Sequence, residues 1–301
     1  MVDQSRVSKG RVDRPPRILI YGFNGIGKTK FATGAEDAFV IDADKGSHKF
    51  DARRVEPWGW DDAREWVTAV EKDEVKCKTL VLDSVTELEA MSHAAFFGGE
   101  PIGTWNKGYG RGDEYAILRW RELLQQLERI WKGGRAITFV AHAAVKRFED
   151  PGVANPYDRF EVSARPKLAG LLSQWCDYVL FAALDVAPVS KDSHAAVTSG
   201  ARYVYTRRRP AWDAKARGTM LFPEQILLSY SEFDKAVKED AARAVHLKTE
   251  IDRMLAEISD AKLSQVVQDY CRQNPDMIVE AHNRVSARFD EVRRASAQQS
   301  V

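Results

Sequence analysis

Short apolar runs alternate along the chain with stretches whose apolar residues recur at helical spacing. The runs "RILIY", "AFVI", "TLVL", "AITFVA" and "YVLFAAL" have the length and residue types of buried strands. Helical spacing follows several of them, as in residues 63–70 and 114–132. Two later runs, "ARYVYTRR" and "EQILLSY", predict strands that pair across the loop between them. Because strands that alternate with helices form parallel sheets, the pattern predicts an α/β fold with a mostly parallel sheet flanked by helices.

The character of the chain changes near Ser231, where charged segments with helical periodicity begin. Ile251, Met254 and Leu255 lie on one predicted helical face, and the pair Asn274-Pro275 interrupts the pattern. We therefore predict a C-terminal helical subdomain that packs by its apolar stripes, in preference to a partner-binding module. The predicted organisation is a flexible N-terminal arm over residues 1–16, a core over 17–231 and a helical region over 232–301.

Composition limits the possible functions without choosing among them. The 301 residues are 44% hydrophobic and 30% charged, and the formal net charge is +1. Such a balance excludes a basic footprint over the whole molecule, so contacts with nucleic acid would require local patches. The three cysteines show no metal-ligand spacing, which favours a reducing, cytoplasmic location. We expect no membrane-spanning segment and no signal peptide.

A glycine-rich turn follows the first predicted strand. The segment "GFNGIGKT" fits G-x-x-x-x-G-K-[ST] and lies between a strand and a helix, as a phosphate-binding P-loop requires. Backbone N–H groups of such a loop point at phosphate oxygens, the lysine reaches the β- and γ-phosphates, and the hydroxyl ligates Mg²⁺. We predict a site for ATP and Mg²⁺ whose nucleotide-binding residues are Gly22, Phe23, Asn24, Gly25, Ile26, Gly27, Lys28, Thr29 and Lys30.

Acidic and polar residues follow three other predicted strands. Asp83 ends the strand of "LVLDSV" and is the expected partner of Thr29 in holding Mg²⁺. Asp42 and Asp44 follow the second strand, and Asp44, farther out, is the candidate base that activates water. His142 ends the strand of "RAITFVAH". Since the carboxyl ends of parallel strands share one edge, these side chains are expected to meet there.

Two long segments combine cations with aromatic rings. Both exceed the ~12–15 residues above which loops tend to be functional or disordered, and such residues bind the phosphates and bases of single strands. Acids at Glu149, Asp150 and Asp158 weaken the signal in the second segment. The candidate DNA-binding residues are Trp105, Lys107, Tyr109 and Arg111 in "FFGGEPIGTWNKGYGRGDEY", and Lys146, Arg147, Phe148, Tyr157, Arg159 and Phe160 in "AAVKRFEDPGVANPYDRFEVSARP".

The order of these parts over residues 17–231 resembles the RecA-like recombinase core. It is most similar to the compact phage RecA-like ATPases of single-strand annealing and recombination. In that family a strand ending in an Ile-Asp-Ala-Glu-like run supplies the catalytic base, which corresponds to Asp44 in "VIDAD". The shorter Asp in place of Glu is a departure from the family. The resemblance also implies that His142 senses the γ-phosphate and that the two long segments are the DNA-binding loops.

The segment "DAKARG" carries Lys215 and Arg217 where the family places cations that reach a neighbouring subunit's γ-phosphate. The resemblance therefore implies self-association into an oligomer or filament. Single-stranded DNA is the expected partner, and a single-strand-binding protein is a candidate partner. The expected function is an ATP-dependent recombinase or annealing protein. Two alternatives stay open from the sequence: a loader or motor acting on protein or duplex DNA, and a nucleotide-gated binding module with little turnover.

Overall fold

The computed structural model describes residues 14–188 and 196–299. These residues form two compact units. The larger unit comprises residues 14–216 and 224–233, and the smaller one comprises residues 217–223 together with the chain from Asp234 onward. The long helix that begins at Tyr230 contributes its first turn to the larger unit and the rest to the smaller one.

A single sheet organises the larger unit. Its central strands are parallel. Antiparallel strands β8, β9 and β10 complete one side, and β5 continues beyond the sheet into a hairpin with β6. The order across the sheet is β10-β8-β7-β1-β5-β4-β2-β3, with β6 paired to β5 and β9 paired to β7. The strands are β1 (Arg17–Gly22), β2 (Ala38–Asp42), β3 (Arg53–Val55), β4 (Thr79–Asp83), β5 (Ala136–Phe148), β6 (Tyr157–Val162), β7 (Tyr178–Pro188), β8 (Ala196–Tyr205), β9 (Lys215–Ala216) and β10 (Gln225–Leu227).

The central strands are continuous apolar runs because both of their faces are covered. Every residue of β2 and β4 is buried, and in β1 only Arg17 is partly exposed. Gly22 ends β1 where the neighbouring strand comes closest, since a Cβ there would lie 2.3 Å from the carbonyl oxygen of Ala182. The mostly parallel sheet flanked by helices confirms the predicted fold class, and β8 and β10 pair antiparallel as predicted.

Five helices of the larger unit cover the sheet. They are α1 (Lys28–Thr33), α2 (Trp60–Glu71), α3 (Val85–Phe97), α4 (Arg111–Lys132) and α5 (Pro166–Trp175). Trp60 of α2 and Trp120 of α4 meet at a centroid distance of 5.0 Å inside the main hydrophobic core. On the other face, Phe31 of α1 packs on Phe233, which in turn contacts Tyr178 of β7. The helical stripes predicted at residues 63–70 and 114–132 thus pack in the core.

The prediction that the fourth strand ends at His142 is wrong. β5 continues to Phe148 and pairs antiparallel with β6, so most of the second predicted loop is a β-hairpin whose tip spans residues 149–156. The first predicted loop is also shorter than expected, because α3 runs to Phe97 and α4 begins at Arg111. From Ala144 to Phe148 of β5, partly buried and exposed residues alternate, as expected for a strand with one covered face.

The smaller unit is helical. Its helices are α6 (Tyr230–Ile258), α7 (Ala261–Gln273) and α8 (Ile278–Gln299), with a 3₁₀ turn from Pro275 to Met277 where the sequence predicted a break. Ile251, Met254 and Leu255 are buried with residues of α8 in a separate core. The carboxylate of Asp240 accepts hydrogen bonds from the backbone N–H and hydroxyl of Thr219.

The predicted N-terminal arm is described only in part. Residues 1–13 of the predicted N-terminal arm lie outside the described residues. The carbonyl of Pro15 accepts a hydrogen bond from Trp131 Nε1 at 2.6 Å, and that of Pro16 accepts one from the Ile137 N–H at 3.2 Å. In the described part of the chain, no helix combines the length and apolarity needed to cross a membrane.

Candidate nucleotide site

The glycine-rich turn lies at the carboxyl end of the central strand β1 and leads directly into α1. Gly25 and Gly27 have φ values of +75° and +116°, which residues with a Cβ adopt only with strain. Gly27 caps α1, and its carbonyl accepts the first helical hydrogen bond from the Phe31 N–H at 2.9 Å. The turn therefore presents its backbone at a helix N-terminus, where partial positive charge favours a phosphate.

Lys28 is buried inside the turn. Its Nζ donates to the carbonyls of Gly22 at 3.0 Å and Phe23 at 2.9 Å. Burial lowers the pKa of Lys28, while the charges of Asp83 and Asp44 act in the opposite direction. An ammonium that has only neutral acceptors within hydrogen-bond distance is suited to exchange them for phosphate oxygens, because charge-assisted hydrogen bonds are stronger.

Asp83 and Thr29 form a short hydrogen bond beside Lys28. The Thr29 hydroxyl donates to Asp83 Oδ2 at 2.6 Å, and Asp83 is only 1% exposed. Burial raises the pKa of Asp83 to about 6; the hydrogen bond from Thr29 opposes this shift, and the charges of Asp42 and Asp44 add to it. The next residue, Ser84, caps α3 by accepting a hydrogen bond from the Glu87 N–H.

Asp44 and His142 lie together beside Asp83. The Asp44 N–H donates to the carbonyl of Asp83 at 3.1 Å, and its Oδ1 is 3.6 Å from His142 Nε2. The other ring nitrogen of His142 is buried and has no hydrogen-bond partner among the described residues. His142 is the last residue of β5 that pairs with β1, and the hairpin begins at Ala143.

The structure separates the roles of the two acids that follow β2. Asp42 is fully buried and accepts hydrogen bonds from the Gly46 N–H, the Ser47 N–H and the Ser47 hydroxyl. It therefore stabilises the turn that carries Asp44. The side chain of Asp44 is 34% exposed and faces His142, so Asp44 is the acid of this pair that a water molecule can reach.

The chemistry of these groups fits Mg²⁺ and a nucleoside triphosphate. Magnesium prefers oxygen ligands and is usually held by one or two protein side chains together with phosphates and water. Within residues 14–188 and 196–299, no three His, Cys, Asp or Glu side chains are placed to hold a metal ion by themselves. The Thr29 hydroxyl and the Asp83 carboxylate would therefore need ligand phosphates to complete the coordination.

In the first predicted DNA-binding segment, one aromatic residue packs against other rings and another is exposed to solvent. Trp105 packs against Phe97 and Tyr115 at 5.3 Å and 5.1 Å between ring centroids. Tyr109 is 93% exposed, and its φ of +57° lies in a run of positive φ that includes Lys107. Arg111 Nη1 donates to the carbonyl of Asn106 at 3.1 Å. Tyr109, Lys107 and Arg111 are thus the exposed candidates.

In the second segment, the cations are paired with acids of the facing strand. Lys146 lies 3.8 Å from Glu161, and Arg147 lies 3.8 Å from Asp158. Phe148 and Tyr157 meet across the hairpin with ring centroids 5.6 Å apart.

Arg159 and Phe160 point into the protein. Arg159 is 4% exposed, pairs with Asp213 at 3.0 Å and lies over the ring of Phe148. Phe160 contacts Phe23 of the glycine-rich turn edge-on at 5.0 Å. In this conformation these two residues pack the root of the hairpin, and the structure does not bring them together with the exposed residues of the first segment.

Lys215 and Arg217 are the cations predicted to reach the γ-phosphate of a neighbouring subunit. Lys215 lies away from the glycine-rich turn of its own chain, and Arg217 lies outside the unit that carries this turn. Lys215 Nζ donates to the carbonyl of Ser173. Lys215 pairs with Val179, which also pairs with Leu19, so it lies three residues short of Gly22, or about 10 Å along the strands. Arg217 belongs to the smaller unit.

No sequence pattern predicted that Arg202 would lie near the site. Arg202 of β8 donates through Nη1 to the carbonyl of Ile26 at 3.0 Å and so braces the glycine-rich turn. The two residues are 176 positions apart, and only the pairing of β8 with β7 brings them together.

Comparison with known proteins finds a matching family model and similar solved structures. A family model described as an AAA domain matches residues 14–218. The crystal structure of the RadB recombinase aligns with a TM-score of 0.41 and 15% identity, covering 73% of this chain and 90% of that one. The crystal structure of KaiC-like protein PH0186 from Pyrococcus horikoshii OT3 aligns with a TM-score of 0.39 and 16% identity, covering 71% and 85%. No curated protein matches the chain significantly. Since the family model spans more than half of the sequence, the chain belongs to the AAA domain family.

Proposed function

We propose that the chain is a P-loop ATPase that binds single-stranded DNA and promotes annealing or strand pairing in recombination or replication, as in phage systems. The observation that carries the proposal is the contact of Thr29 with Asp83 beside the buried Lys28, at the carboxyl edge of a parallel sheet. This is the side-chain set that P-loop ATPases use for phosphate and Mg²⁺.

Hydrolysis requires a water molecule aligned with the γ-phosphate. Asp44 is the proposed base, and His142, 3.6 Å away, orients its carboxylate and responds to the phosphate. A bound Mg²⁺ supplies neutralisation of the charge on the phosphates. Lys28 and the N–H groups of the turn stabilise the same charge, so positioning and electrostatics account for most of the rate in this proposal.

Coupling to DNA is proposed to pass through β5. The strand carries His142 at the candidate site and continues into the hairpin with Lys146 and Arg147. Nucleotide binding would shift the position of the hairpin through β5. The exposed Tyr109 and Lys107 would add contacts from the first segment. The Arg147–Asp158 ion pair is exposed and the Lys146–Glu161 pair is partly exposed, so their exchange for DNA phosphates costs little.

Measurement of ATP hydrolysis with and without single-stranded DNA, at several salt concentrations, tests the proposal. We expect DNA to stimulate turnover and DNA affinity to fall as salt rises, with Lys28→Ala as the inactive control. Absence of both effects would refute the DNA-dependent function. Stimulation by duplex DNA alone would favour a motor, and DNA binding gated by ATP without turnover would favour a binding module.

The position of Lys215 supports action on a neighbouring subunit rather than on its own site. We propose that Lys215 and Arg217 act in trans within an oligomer or filament. Mixing Lys28→Ala subunits with Arg217→Ala subunits should then restore part of the hydrolysis that each variant lacks alone. If the mixture hydrolyses no more ATP than its components, Arg217 does not act in trans.

A further inference from the structure

An aromatic crevice with a volume of about 570 Å³ lies beside the glycine-rich turn. We use this name for the space bounded by Phe23, Phe160, Phe181, Tyr205 and Trp212. Phe23 is 44% exposed, whereas Phe181 is buried at the bottom. Neither ATP hydrolysis nor the turn itself requires this concentration of rings, so the crevice needs a separate explanation.

Several rings of the crevice lie in nearly parallel planes. Phe181 stacks on Phe160 at 5.2 Å with an interplanar angle of 17°, and on Trp212 at 5.5 Å with an angle of 23°. Tyr205 contacts Trp212 at 4.6 Å. A wall of nearly parallel aromatic rings is suited to a planar heterocycle, since base–aromatic stacking tolerates any nucleobase.

The crevice is built on the face of the sheet opposite to α1. Phe233, which covers α1, contacts Tyr178 of β7. Phe181 is three residues farther along the same strand, and side chains alternate between faces, so Phe181 points away from α1. A triphosphate bound at the N-terminus of α1 would lie on the α1 side of the sheet, although Gly25 and Ile26 of the turn also border the crevice. This favours a base from a second ligand over the base of the bound nucleotide.

A turn rich in arginine joins two walls of the crevice. We call Arg207–Arg209 the arginine turn; these side chains are 42%, 62% and 58% exposed. Arg209 and Trp212 exchange two backbone hydrogen bonds of 3.1 Å, and Trp212 Nε1 donates to the carbonyl of Arg207 at 3.1 Å. The turn is thereby fixed beside the rings.

The arginine turn also carries an excess of positive charge. Its three arginines face two acids, Glu224 and Asp213. Glu224 accepts hydrogen bonds from both Arg207 and Arg209, and Arg208 lies 3.9 Å from Asp213. Asp213 is shared with the buried Arg159. Cations next to stacking faces are the combination that recognises a single-stranded nucleic acid, whose phosphates and bases are both accessible.

We propose that the aromatic crevice takes one base of single-stranded DNA while the adjoining phosphates lie on the arginine turn. The proposal rests on the single-stranded DNA binding of the proposed function and assigns it a site. In that site Trp212 and Tyr205 stack on the base, and Arg208 contacts the backbone.

Trp212→Leu tests the stacking part, because leucine keeps an apolar side chain and removes the ring. Affinity for a single-stranded oligonucleotide, measured by fluorescence anisotropy, should fall about 5- to 150-fold, the range that base stacking provides. Trp212→Phe should recover most of the loss. The matched control is Trp58→Leu, since Trp58 is 95% exposed and lies outside the crevice.

Arg208→Gln tests the phosphate part. Each phosphate contact of a single strand contributes about 0.7 to the slope of log affinity against log salt, so this variant should lower the slope by about that amount. Trp212→Leu should leave the slope unchanged. Arg253→Gln is the control, because Arg253 is an exposed arginine of α6 that pairs with Glu257.

An oligonucleotide with abasic positions separates failure of this inference from failure of the proposed function. Removing bases should weaken binding to the natural sequence and have little further effect on Trp212→Leu. If the natural protein binds DNA but Trp212→Leu binds equally well, the crevice is not a base site. If the substitution weakens ATP binding but not tripolyphosphate binding, the crevice holds the nucleotide's own base and the inference is wrong. If the natural protein binds no single-stranded DNA, the proposed function fails as well.

Discussion

Replacing Asp83 by asparagine should abolish hydrolysis and yet stabilise the protein measured without nucleotide. The carboxylate is 1% exposed and receives one hydrogen bond, from Thr29, while Asp42 and Asp44 contribute like charge. Asparagine has the same shape and can still accept the hydrogen bond through its carbonyl oxygen. The change removes the buried charge and leaves the packing intact.

The magnitude follows from the pKa of Asp83, which is raised from 3.8 to about 6. The folded protein therefore binds the proton more tightly than the unfolded chain, and stability falls as pH rises through that window. The penalty is near zero below pH 3.8. It reaches about 1.5 kcal/mol at pH 5 and about 3 kcal/mol above pH 7. Asp83→Asn should recover this free energy, so its stabilisation should double between pH 5 and 7.5.

Urea unfolding of both proteins at pH 5 and pH 7.5, without nucleotide or Mg²⁺, measures the difference. Asp42→Asn is the matched control, because Asp42 is equally buried but accepts three hydrogen bonds and should destabilise the fold when an NH₂ replaces an oxygen. A stabilisation of Asp83→Asn that does not change with pH, or a destabilisation at pH 7.5, would refute the reasoning. In the same buffers, Mg²⁺-dependent nucleotide binding by the natural protein should weaken as pH falls below about 6.

Three further predictions address the water, the coupling and the turn. Asp44→Asn should lower the rate of ATP hydrolysis at least about 100-fold in a phosphate-release assay with nucleotide affinity retained, and full turnover would exclude Asp44 as base. His142→Ala should abolish the difference in single-stranded DNA affinity between the ATP-bound and nucleotide-free protein; an unchanged ratio in anisotropy titrations would exclude His142 as the link. Gly22→Ala should cost about 2 to 3 kcal/mol in urea unfolding, because its Cβ would meet the Ala182 carbonyl. Gly170→Ala, in α5 with no atom within 4 Å of an added Cβ, should stabilise by about 0.5 to 1 kcal/mol, and equal effects of the two glycine substitutions would contradict the packing argument.

The sequence predicted the elements whose signals are local. Apolar runs identified the central strands because both faces of a parallel sheet are buried, and the mostly parallel sheet was predicted correctly. The glycine spacing located the turn between β1 and α1. The rule that strand ends meet at one edge brought Thr29, Asp83, Asp44 and His142 together before any distance was known.

Features that depend on which residues face each other across paired strands were missed. "AAVKRF" and "YDRFEV" each interrupt their apolar residues with charged ones, so neither predicted a strand. The two strands are held by pairing with each other and by the packing of Phe160 on Phe181. Composition also could not show that Arg159 is buried against Asp213, or that Lys146 and Arg147 face acids on the opposite strand. Cation–aromatic composition predicts a surface only when the facing residues are known.

Several polar groups at the carboxyl edge of β1 lack the hydrogen-bond partners or opposite charges that would offset the cost of their burial. Lys28 is buried with two neutral acceptors, the pKa of Asp83 is raised by burial, and His142 Nδ1 lacks a partner among the described residues. Asp42, which is equally buried at the end of β2, by contrast accepts three hydrogen bonds. A phosphate chain with Mg²⁺ would provide acceptors for Lys28 and a cation for Asp83. Binding would therefore offset the free-energy cost of burying these two charged groups. Ligand at 100 times its Kd adds about 2.7 kcal/mol of stability by mass action alone. Because Asp83→Asn already relieves part of this strain, it should gain less from nucleotide and Mg²⁺ than the natural protein does, and thermal unfolding with and without both would measure that difference.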